Sequence, residues 1–482
     1  MTQRKIAATV LAQLLGGWTG RGPAYLNLAH SLQHLILDGR LPLAAYLPSE
    51  RTLAEALGLS RNTIKASYNV LQDEGFLYLR PGVRGVIRLP AGASTPGVPL
   101  PPLTHPHLLD FASAALPAPE GLIHEAYTHA LTALPTYLPT HGYLPLGLPA
   151  LRSAVAARYA ARGLPTTAEQ VVITFGAQHA LSLIVRVFTS PGDRVLVDQP
   201  TYPHALDALR GASCRIVPVA LTPEGWDPDA WAAAARQTSP RLAYLIPDFH
   251  NPTGHLMPDA VRTQITRLCR ETRTLLVVDE TLTDLALDVP VPSPFAGNDR
   301  YDTVVSIGSM SKSFWGGLRL GWIRAPRDVA ERLGAARSSV DLGTPVVEQL
   351  AGAWLLQDPG PFLERRQQQL REQREVLTEQ LNLQLPEWIY RLPEGGLSLW
   401  VTLPQPIGPA LVAQATRFGL RLTAGERFAH DGLLARQLRL PFTRPAAELH
   451  EGVTRLATLY RELVSDDSRR NDPRVNVQLD MY

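Results

Sequence analysis

The feature that most constrains the fold is a regular alternation of short apolar runs and helical stretches between residues 109 and 464. Five runs each end in a polar or glycine-containing turn: QVVITFG, DRVLVDQP, LAYLIPDF, TLLVVDE and TVVSIGS. Stretches with helical character, such as PDAVRTQITRLCRET, separate them. This alternation predicts an α/β domain whose mostly parallel sheet carries helices on both faces.

Ligands of such sheets bind beyond the carboxyl ends of the strands. Several chemically informative residues lie at the predicted strand ends, namely Gly176, Tyr202, Asn251, Asp279 and Lys312. The sequence therefore predicts one ligand site at that edge of the sheet.

Lys312 lies in SMSKSFWGGLRLGW, between two serines and seven residues before Arg319. A lysine amine is nucleophilic only when neutral, and a desolvated or cation-flanked setting lowers its pKa and allows a Schiff base with an aldehyde. Arg319 can bind a phosphate with two N–H groups, and Ser309 and Ser311 add hydroxyl donors. A Schiff-base lysine beside a phosphate site suits pyridoxal 5′-phosphate (PLP).

PLP also requires a carboxylate at its ring nitrogen, which keeps the pyridinium protonated so that it can withdraw electrons. Asp279 ends TLLVVD and is placed for that role. Asn251 in HNPTG is the expected donor to the 3′-oxygen, and Tyr202 is the expected stacking ring. A predicted helix N-terminus adds backbone amides for the phosphate, at Gly176, Ala177 and Gln178.

Each of these residues, taken alone, also fits an ordinary structural role. A single lysine is commonly solvated, an aspartate at a strand end often caps a turn, and NPTG often forms only a turn. Their common order and their common position at strand ends favour a PLP site. The two cysteines, Cys214 and Cys269, have no metal-ligand spacing, so we predict no metal and a reducing compartment.

Charge is unevenly distributed along the chain. Residues 1–90 have a net charge of +5, whereas the remainder has a net charge of −3. Residues 89–108 are rich in proline, glycine and small side chains, which is typical of an extended linker. A small basic domain joined by a linker to a larger acidic one indicates a nucleic-acid-binding module, although solvated surfaces often show biases of this size.

Residues 47–89 contain a helix-turn-helix pattern. Leu53 and Leu57 form one apolar stripe, GLS ends the first helix, and Ser60 is a suitable N-cap for the next. The second helix directs Ile64, Ser67 or Tyr68, and Leu71 inward. Its outward residues are Arg61, Asn62, Thr63, Lys65 and Asn69. The run FLYLRPGVRGVIRL predicts a hairpin, or wing, with Arg84 near its tip. The alternative is a small helical subdomain with a polar face.

Residues 22–89 also resemble the winged-helix domain of the GntR family of transcription regulators, most clearly in LPSERTLAEALGLSRNTIKASYNVLQDEGFL. This resemblance implies that Arg51, Arg61 and Thr63 contact DNA. The wing tip departs from the family, since PGVRGV stands where relatives often have a Gly-Ser-Gly-Thr-like sequence.

Residues 108–464 resemble fold-type I aminotransferases in YLPLGLPALRSAVAARY, ITFGAQHAL, PTYPHAL, HNPTG, VVDE, SMSKSFWGGLRLGW and LRLPFT. The resemblance implies the PLP roles given above, with Lys312 as the Schiff-base lysine and a smaller C-terminal α/β subdomain. It further implies that Arg439 binds a ligand α-carboxylate. Tyr143 matches a tyrosine that relatives extend to the neighbouring subunit's phosphate site, which implies a homodimer with shared sites.

One departure concerns the segment DETLTDL, in which Thr281 and Leu282 stand where relatives usually carry a tyrosine that binds the 3′-oxygen. The absence of that phenol weakens the case for efficient transamination more than the case for PLP binding.

The whole plan resembles the MocR subfamily of GntR-type regulators. It implies a cytoplasmic, nucleoid-associated, homodimeric regulator that binds operator DNA and senses PLP or PLP combined with an amino acid. An active aminotransferase with a DNA-binding domain remains the alternative, as does a PLP-sequestering protein that has lost DNA binding. The predicted domains are an arm (1–21), the winged helix (22–89), the linker (90–108), the aminotransferase-like domain (109–464) and a polar tail (465–482).

Overall fold

The computed structural model describes residues 5–15, 23–37, 40–42, 45–80, 83–88, 108–299, 303–430 and 432–470. The chain divides into two compact units, Met1–His107 and Leu108–Tyr482, called here the head and the body. Residues 89–107, which include all of the predicted linker (90–108) except its last residue, lie outside the described residues. Among the helices that the structure describes, none is long and apolar enough to cross a membrane.

Within its described residues, the head contains four helices and one hairpin: α1 (Ala8–Leu15), α2 (Ala24–Leu37), α3 (Glu50–Leu57), α4 (Arg61–Asp73), β1 (Leu77–Arg80) and β2 (Val83–Ile87). Ser60 caps α4 as predicted, because its Oγ accepts from the Thr63 N–H at 3.1 Å. Gly58 ends α3 in the left-handed region at φ +67°, which a glycine adopts without steric cost.

The core of the head forms where α2, α3 and α4 meet. Ile64, Ser67, Tyr68 and Leu71 are the buried residues of α4, which confirms the predicted inward face. The Ser67 hydroxyl donates to the Tyr25 carbonyl at 2.8 Å. The α3–turn–α4 pair is therefore fixed against α2, and the opposite face of α4 is left to solvent.

The body begins with β3 (Leu109–Asp110) and then alternates helices and strands. The elements of the first half are α5 (Glu120–Ala133), α6 (Pro149–Ala161), β4 (Val171–Thr174), α7 (Ala177–Phe188), β5 (Arg194–Gln199), α8 (Pro203–Gly211), β6 (Arg215–Ala220), α9 (Pro228–Thr238), β7 (Leu242–Leu245), α10 (Asp259–Glu271) and β8 (Leu275–Asp279). The second half contains β9 (Val304–Ser309), β10 (Gly321–Arg324), α11 (Arg327–Ala336), α12 (Val346–Leu355), α13 (Gly360–Gln384), β11 (Ile389–Tyr390), β12 (Ser398–Thr402), α14 (Gly408–Ala415), β13 (Leu420–Arg421), β14 (Thr423–Ala424), β15 (Gln437–Pro441) and α15 (Ala446–Arg470).

Seven strands form the central sheet in the order β4-β10-β9-β8-β7-β5-β6. The pairs among β9, β8, β7, β5 and β6 are parallel, which confirms the predicted sheet. β10 is inserted antiparallel between β4 and β9. Consequently the chain reverses after β9 and returns beside the end of β4, which brings two distant turns together.

A second, four-stranded sheet has the order β11-β12-β15-β14 and is antiparallel throughout. Helices α13 and α15 share a hydrophobic core with it. This is the smaller C-terminal subdomain that the resemblance implies. β3 pairs in parallel with β13, so the first residues of the body join this subdomain.

The C-terminal boundary differs from the predicted one. Helix α15 continues to Arg470, so the first six residues assigned to the polar tail are helical. Residues 471–482 lie outside the described residues. Polar residues do not by themselves end a helix, because only the face of a helix that packs against the core needs apolar side chains.

Candidate functional site

A cavity of about 210 Å³ lies at the carboxyl ends of the central strands. Nine of the eleven residues predicted to bind the cofactor line it: Ala177, Gln178, Tyr202, Asn251, Asp279, Ser309, Ser311, Lys312 and Arg319. Residues from five separate stretches of sequence thus converge on one site, as strand-end positions require.

Lys312 lies in the turn that follows β9. The Ser309 hydroxyl donates to the Leu320 carbonyl at 3.0 Å and lies 3.0 Å from the Ser311 hydroxyl. Desolvation, reinforced by the Arg439 charge, lowers the pKa of Lys312 to about 8, against the opposing effect of Asp279. A substantial neutral fraction near physiological pH makes this amine a competent nucleophile.

The N-terminus of α7 and the Arg319 guanidinium lie side by side. Gly176 precedes the helix at φ +80°, and a Cβ there would lie 3.2 Å from Arg319 Nη2. A Cβ on Gly321 would lie 2.6 Å from the Gly176 carbonyl carbon. The first N–H groups of a helix have no partner within it, and Arg319 adds a fixed positive charge. This end of the cavity suits a phosphate.

Asp279 lies at the end of β8 and is almost fully buried. Its Oδ2 accepts from the Tyr244 hydroxyl at 2.8 Å, and its Oδ1 accepts from the Thr281 N–H at 3.0 Å. Burial raises the pKa of Asp279 despite these hydrogen bonds. A cationic partner on the open side would offset this desolvation, which is the role a protonated ring nitrogen fills.

Asn251 and Arg439 are directly linked. Arg439 Nη1 donates to Asn251 Oδ1 at 3.2 Å, and the same guanidinium donates to the Ala112 carbonyl. Burial lowers the pKa of Arg439 to about 10. Its Nε has no hydrogen-bond partner among the described residues. Arg439 therefore has spare donor capacity, although it does not line the cavity itself.

Two predicted cofactor residues are absent from the lining, Gly176 and Tyr143. Gly176 acts through its backbone, since it lets α7 approach Arg319. Tyr143 has 58% of its surface exposed, and its ring lies 5.4 Å from that of His141. The single chain does not bring Tyr143 to its own cavity, so a role there stays a prediction that requires a second subunit.

Several lining residues were not predicted, among them Ala114, Ala115, His250, Leu397 and Ser398. Tyr244 was also missed, although it hydrogen-bonds Asp279. Tyr244 appears in the sequence only as an interior residue of an apolar strand, and the alanines carry no chemical signal. Only His250, which adjoins Asn251 in the HNPTG motif, gave any local indication.

A buried polar chain lies beneath the cavity. His255 Nε2 lies 2.9 Å from the Pro223 carbonyl and must donate to it. Its Nδ1 then accepts from the Thr253 hydroxyl at 2.8 Å, which in turn accepts from His250 Nδ1 at 2.9 Å. His250 is thereby left with an acceptor at Nε2.

That acceptor faces Asp198. His250 Nε2 lies 3.6 Å from Asp198 Oδ2, and Trp226 Nε1 donates to Asp198 Oδ1 at 2.9 Å. Burial raises the pKa of Asp198 to about 8 and lowers that of His250 to about 3. Both shifts favour the neutral forms, with the proton on Asp198, and the pair lies next to the turn that carries Asn251.

The candidate DNA-binding surface is the outer face of the head. Arg51, Arg61, Asn62 and Lys65 are exposed, and Thr63 is half-buried. Arg61 Nε lies 3.0 Å from Glu50 Oε2, and Arg51 Nε lies 3.0 Å from Glu55 Oε1. Such exposed pairs are weak, so a phosphate can replace the glutamates. The side chain of Arg84 lies outside the described residues.

Comparison with known proteins agrees with this geometry. Residues 109–456 match the family described as aminotransferase class I and II. This chain belongs to that family. Residues 24–87 match the bacterial regulatory proteins of the gntR family, and the combination is the MocR arrangement that the sequence indicated.

The individual relatives include both transaminases and HTH-type transcriptional regulators. The chain is 31% identical over 375 residues to the 2-aminoadipate transaminase of Thermus thermophilus, which covers 75% of this chain and 92% of that protein. It is 26% identical to the uncharacterized HTH-type transcriptional regulator YdfD of Bacillus subtilis, over 92% of this chain and 97% of that protein. Among solved structures, the α-aminoadipate aminotransferase LysN of Thermus thermophilus, complexed with N-(5′-phosphopyridoxyl)-L-leucine, superposes with a TM-score of 0.69 at 30% identity. That match covers 75% of this chain and 94% of LysN.

The buried carboxyl group of Asp198 leads to a prediction about how the stability of the protein depends on pH. The folded-state pKa of Asp198 lies above its ordinary value of 3.8, so the folded state retains a proton that the unfolded state has lost, and stability falls as pH rises toward 8. Between pH 6.5 and 8, we expect the unfolding free energy of Asp198→Asn to fall by about 1–2 kcal/mol less than that of the wild type. Denaturant titrations at each pH measure it.

The exposed Asp229→Asn variant is the control for the loss of one carboxylate. Above pH 7, His250 is largely neutral in both the folded and the unfolded state, so the upper part of this window reports on Asp198. Parallel stability–pH curves for the wild type and Asp198→Asn would show that Asp198 is ionised in the folded protein.

Proposed function

We propose that this protein is a PLP-dependent, DNA-binding transcription regulator whose body senses PLP, or PLP combined with an amino acid. The carrying observation is that one cavity gathers a low-pKa lysine, a buried carboxylate and a cationic helix N-terminus, in a chain that also has an intact helix-turn-helix. We place it in the cytoplasm, associated with the nucleoid.

The charges of the cavity fit PLP. The cofactor's phosphate is anionic and its ring nitrogen carries a proton at the opposite end. The cavity has its cationic end at Arg319 and its buried acid at Asp279. The carbonyl oxygen of Gln178, Oε1, is buried with no partner among the described residues, so this end also has an acceptor to offer.

Each residue then has a defined task. Arg319, Ser309, Ser311 and the amides at the start of α7 hold the phosphate, whereas Asp279 holds the ring nitrogen. Tyr202 covers the ring face, and Asn251 donates to the 3′-oxygen. When bound, PLP supplies an aldehyde that combines with primary amines and a ring that withdraws electrons. Lys312 holds the aldehyde carbon covalently, and Arg439 binds the carboxylate of an amino acid.

The proposal includes a homodimer in which Tyr143 completes the phosphate site of the partner subunit. Its support is the high exposure of Tyr143, beside other exposed apolar residues of the same region such as Leu138 and Leu342. Large apolar side chains that are exposed in one region are typical of an interface.

An active aminotransferase with a DNA-binding domain is the second candidate, because the relative with 31% identity is named a transaminase. The substitution at Thr281 favours sensing. Thr281 lines the cavity, but its short side chain cannot replace a phenol that would tune the Lys312 nitrogen. Formation of keto acid over many cycles with common amino acids would favour the enzyme instead.

The first test concerns Lys312. We expect PLP-treated protein to be yellow and borohydride to fix one PLP per chain on Lys312. The assignment is unusually clean because the chain has only three lysines, Lys5, Lys65 and Lys312. Lys312→Ala should lose the adduct but keep its circular dichroism, and Arg319→Ala should weaken PLP binding by about 10–100-fold. An adduct retained by Lys312→Ala would contradict the assignment.

The second test concerns DNA. With a fragment from the gene's own upstream region, we expect Arg61→Ala to lower affinity by about 10–100-fold, since one good base contact is worth about 1–3 kcal/mol. Affinity should also fall steeply with salt. Arg327→Ala is the matched control, because Arg327 is an exposed arginine of the body paired with Glu331 at 2.9 Å. Equal affinities for both variants would remove the head from the proposal.

A further inference from the structure

The first segment of the body after the linker, residues 108–115, lies beside the cavity and is called here the strap. Its first half is anchored to the C-terminal subdomain. Leu109 N donates to the Gly419 carbonyl at 2.9 Å, and Phe111 N donates to the Arg421 carbonyl at 2.8 Å. The Phe111 ring is buried against Gly452, where a Cβ would lie 2.2 Å from it.

The second half of the strap is held by the two cations assigned to ligand binding. Lys312 Nζ donates to the Ala114 carbonyl at 2.8 Å. The Arg439 guanidinium donates to the Ala112 carbonyl. Ala114 and Ala115 also line the cavity. The Thr423 hydroxyl also donates to the Ala112 carbonyl at 3.4 Å, but the two charged donors to this half of the strap are ones that a ligand requires.

Asp110 joins the two halves. Its Oδ1 accepts from the Ala112 N–H at 2.8 Å and from the Ser113 N–H at 3.1 Å. Its Oδ2 lies 3.5 Å from Arg421 Nη1. Movement of residues 112–115 must change this turn, and the turn directly follows the two-residue strand β3. The chain leads from β3 through residue 108 into the linker.

We propose that the strap reports ligand occupancy to the linker, by competition between ligand groups and the carbonyls of Ala112 and Ala114 for the same donors. This inference rests on the proposed function of the body. It identifies the element through which occupancy of the cavity reaches the DNA-binding half of the chain.

The competition follows from the donor count. When the Lys312 ammonium condenses with the aldehyde of PLP, a C=N bond replaces the C=O bond, water leaves, and the nitrogen retains one of its three hydrogens. The nitrogen would then offer one N–H instead of three, so the Ala114 carbonyl would have to compete with the 3′-oxygen of PLP for that single donor. A ligand carboxylate bound side-on to Arg439 would take the unpartnered Nε together with Nη2, the nitrogen that donates to the Ala112 carbonyl, and it is a stronger, charged acceptor than that neutral carbonyl. Loading with PLP therefore frees one end of the strap, and an amino acid frees the other.

Hydrogen exchange of the full-length protein tests the inference. We expect the peptide that spans residues 109–116 to exchange about fivefold faster or more when PLP is loaded, the lower range of typical coupling. N-(5′-phosphopyridoxyl)-L-leucine carries a carboxylate but no aldehyde. It should therefore accelerate exchange through the contact between Arg439 and the Ala112 carbonyl. Lys312→Ala and Arg439→Ala should each accelerate exchange without any ligand.

Arg327→Ala is the matched control, because Arg327 is an exposed arginine of the body that pairs with Glu331 rather than with the strap. Without ligand, its strap should exchange like that of the wild type. The strap inference is overturned if borohydride fixes PLP on Lys312 while exchange of residues 109–116 does not change. Failure of PLP to attach to Lys312 would instead overturn the proposed function.

Discussion

The site depends on the close contact between two glycines at the start of α7 and the start of β10. Gly321 has no room for a side chain, because its Cβ would lie 2.6 Å from the Gly176 carbonyl carbon. This contact exists because β10 returns antiparallel between β4 and β9. It places Arg319, which immediately precedes β10, against the helix N-terminus. Without it, the phosphate end of the cavity would have no fixed charge.

The electrostatics of the cavity follow from this geometry. Among the described residues that line the cavity, the ionisable cations are Lys312 and Arg319 and the carboxylate is Asp279. The Arg439 guanidinium lies beside them. Desolvation and the Arg439 charge lower the pKa of Lys312 to about 8. A neutral, reactive amine thus arises from its surroundings rather than from a dedicated base. The same surplus of positive charge favours an anionic cofactor and a carboxylate ligand.

Much of this arrangement could be predicted from the sequence, because strand ends carry local signals. The apolar runs identify β4, β5, β7, β8 and β9, and the residues that follow them line the cavity. The start of α4 was also predictable, because its N-cap, Ser60, is a local signal in the sequence. The contacts of the strap could not be predicted, because they involve backbone carbonyls of alanines, and every residue has a backbone carbonyl. The Asp198–His250 pair and the Tyr244–Asp279 hydrogen bond join residues far apart in the chain, and only the fold brings them together.

The central claim is that PLP and operator DNA act on one equilibrium in the same molecule. Linkage requires that each ligand change the affinity of the other by the same factor, typically about 5–150-fold. The most direct measurement is the PLP affinity of the full-length protein, with and without saturating upstream DNA, beside the DNA affinity with and without PLP. We expect two equal factors that clearly differ from one. If both ligands bind and both factors equal one, the body does not regulate the head, and the account is contradicted.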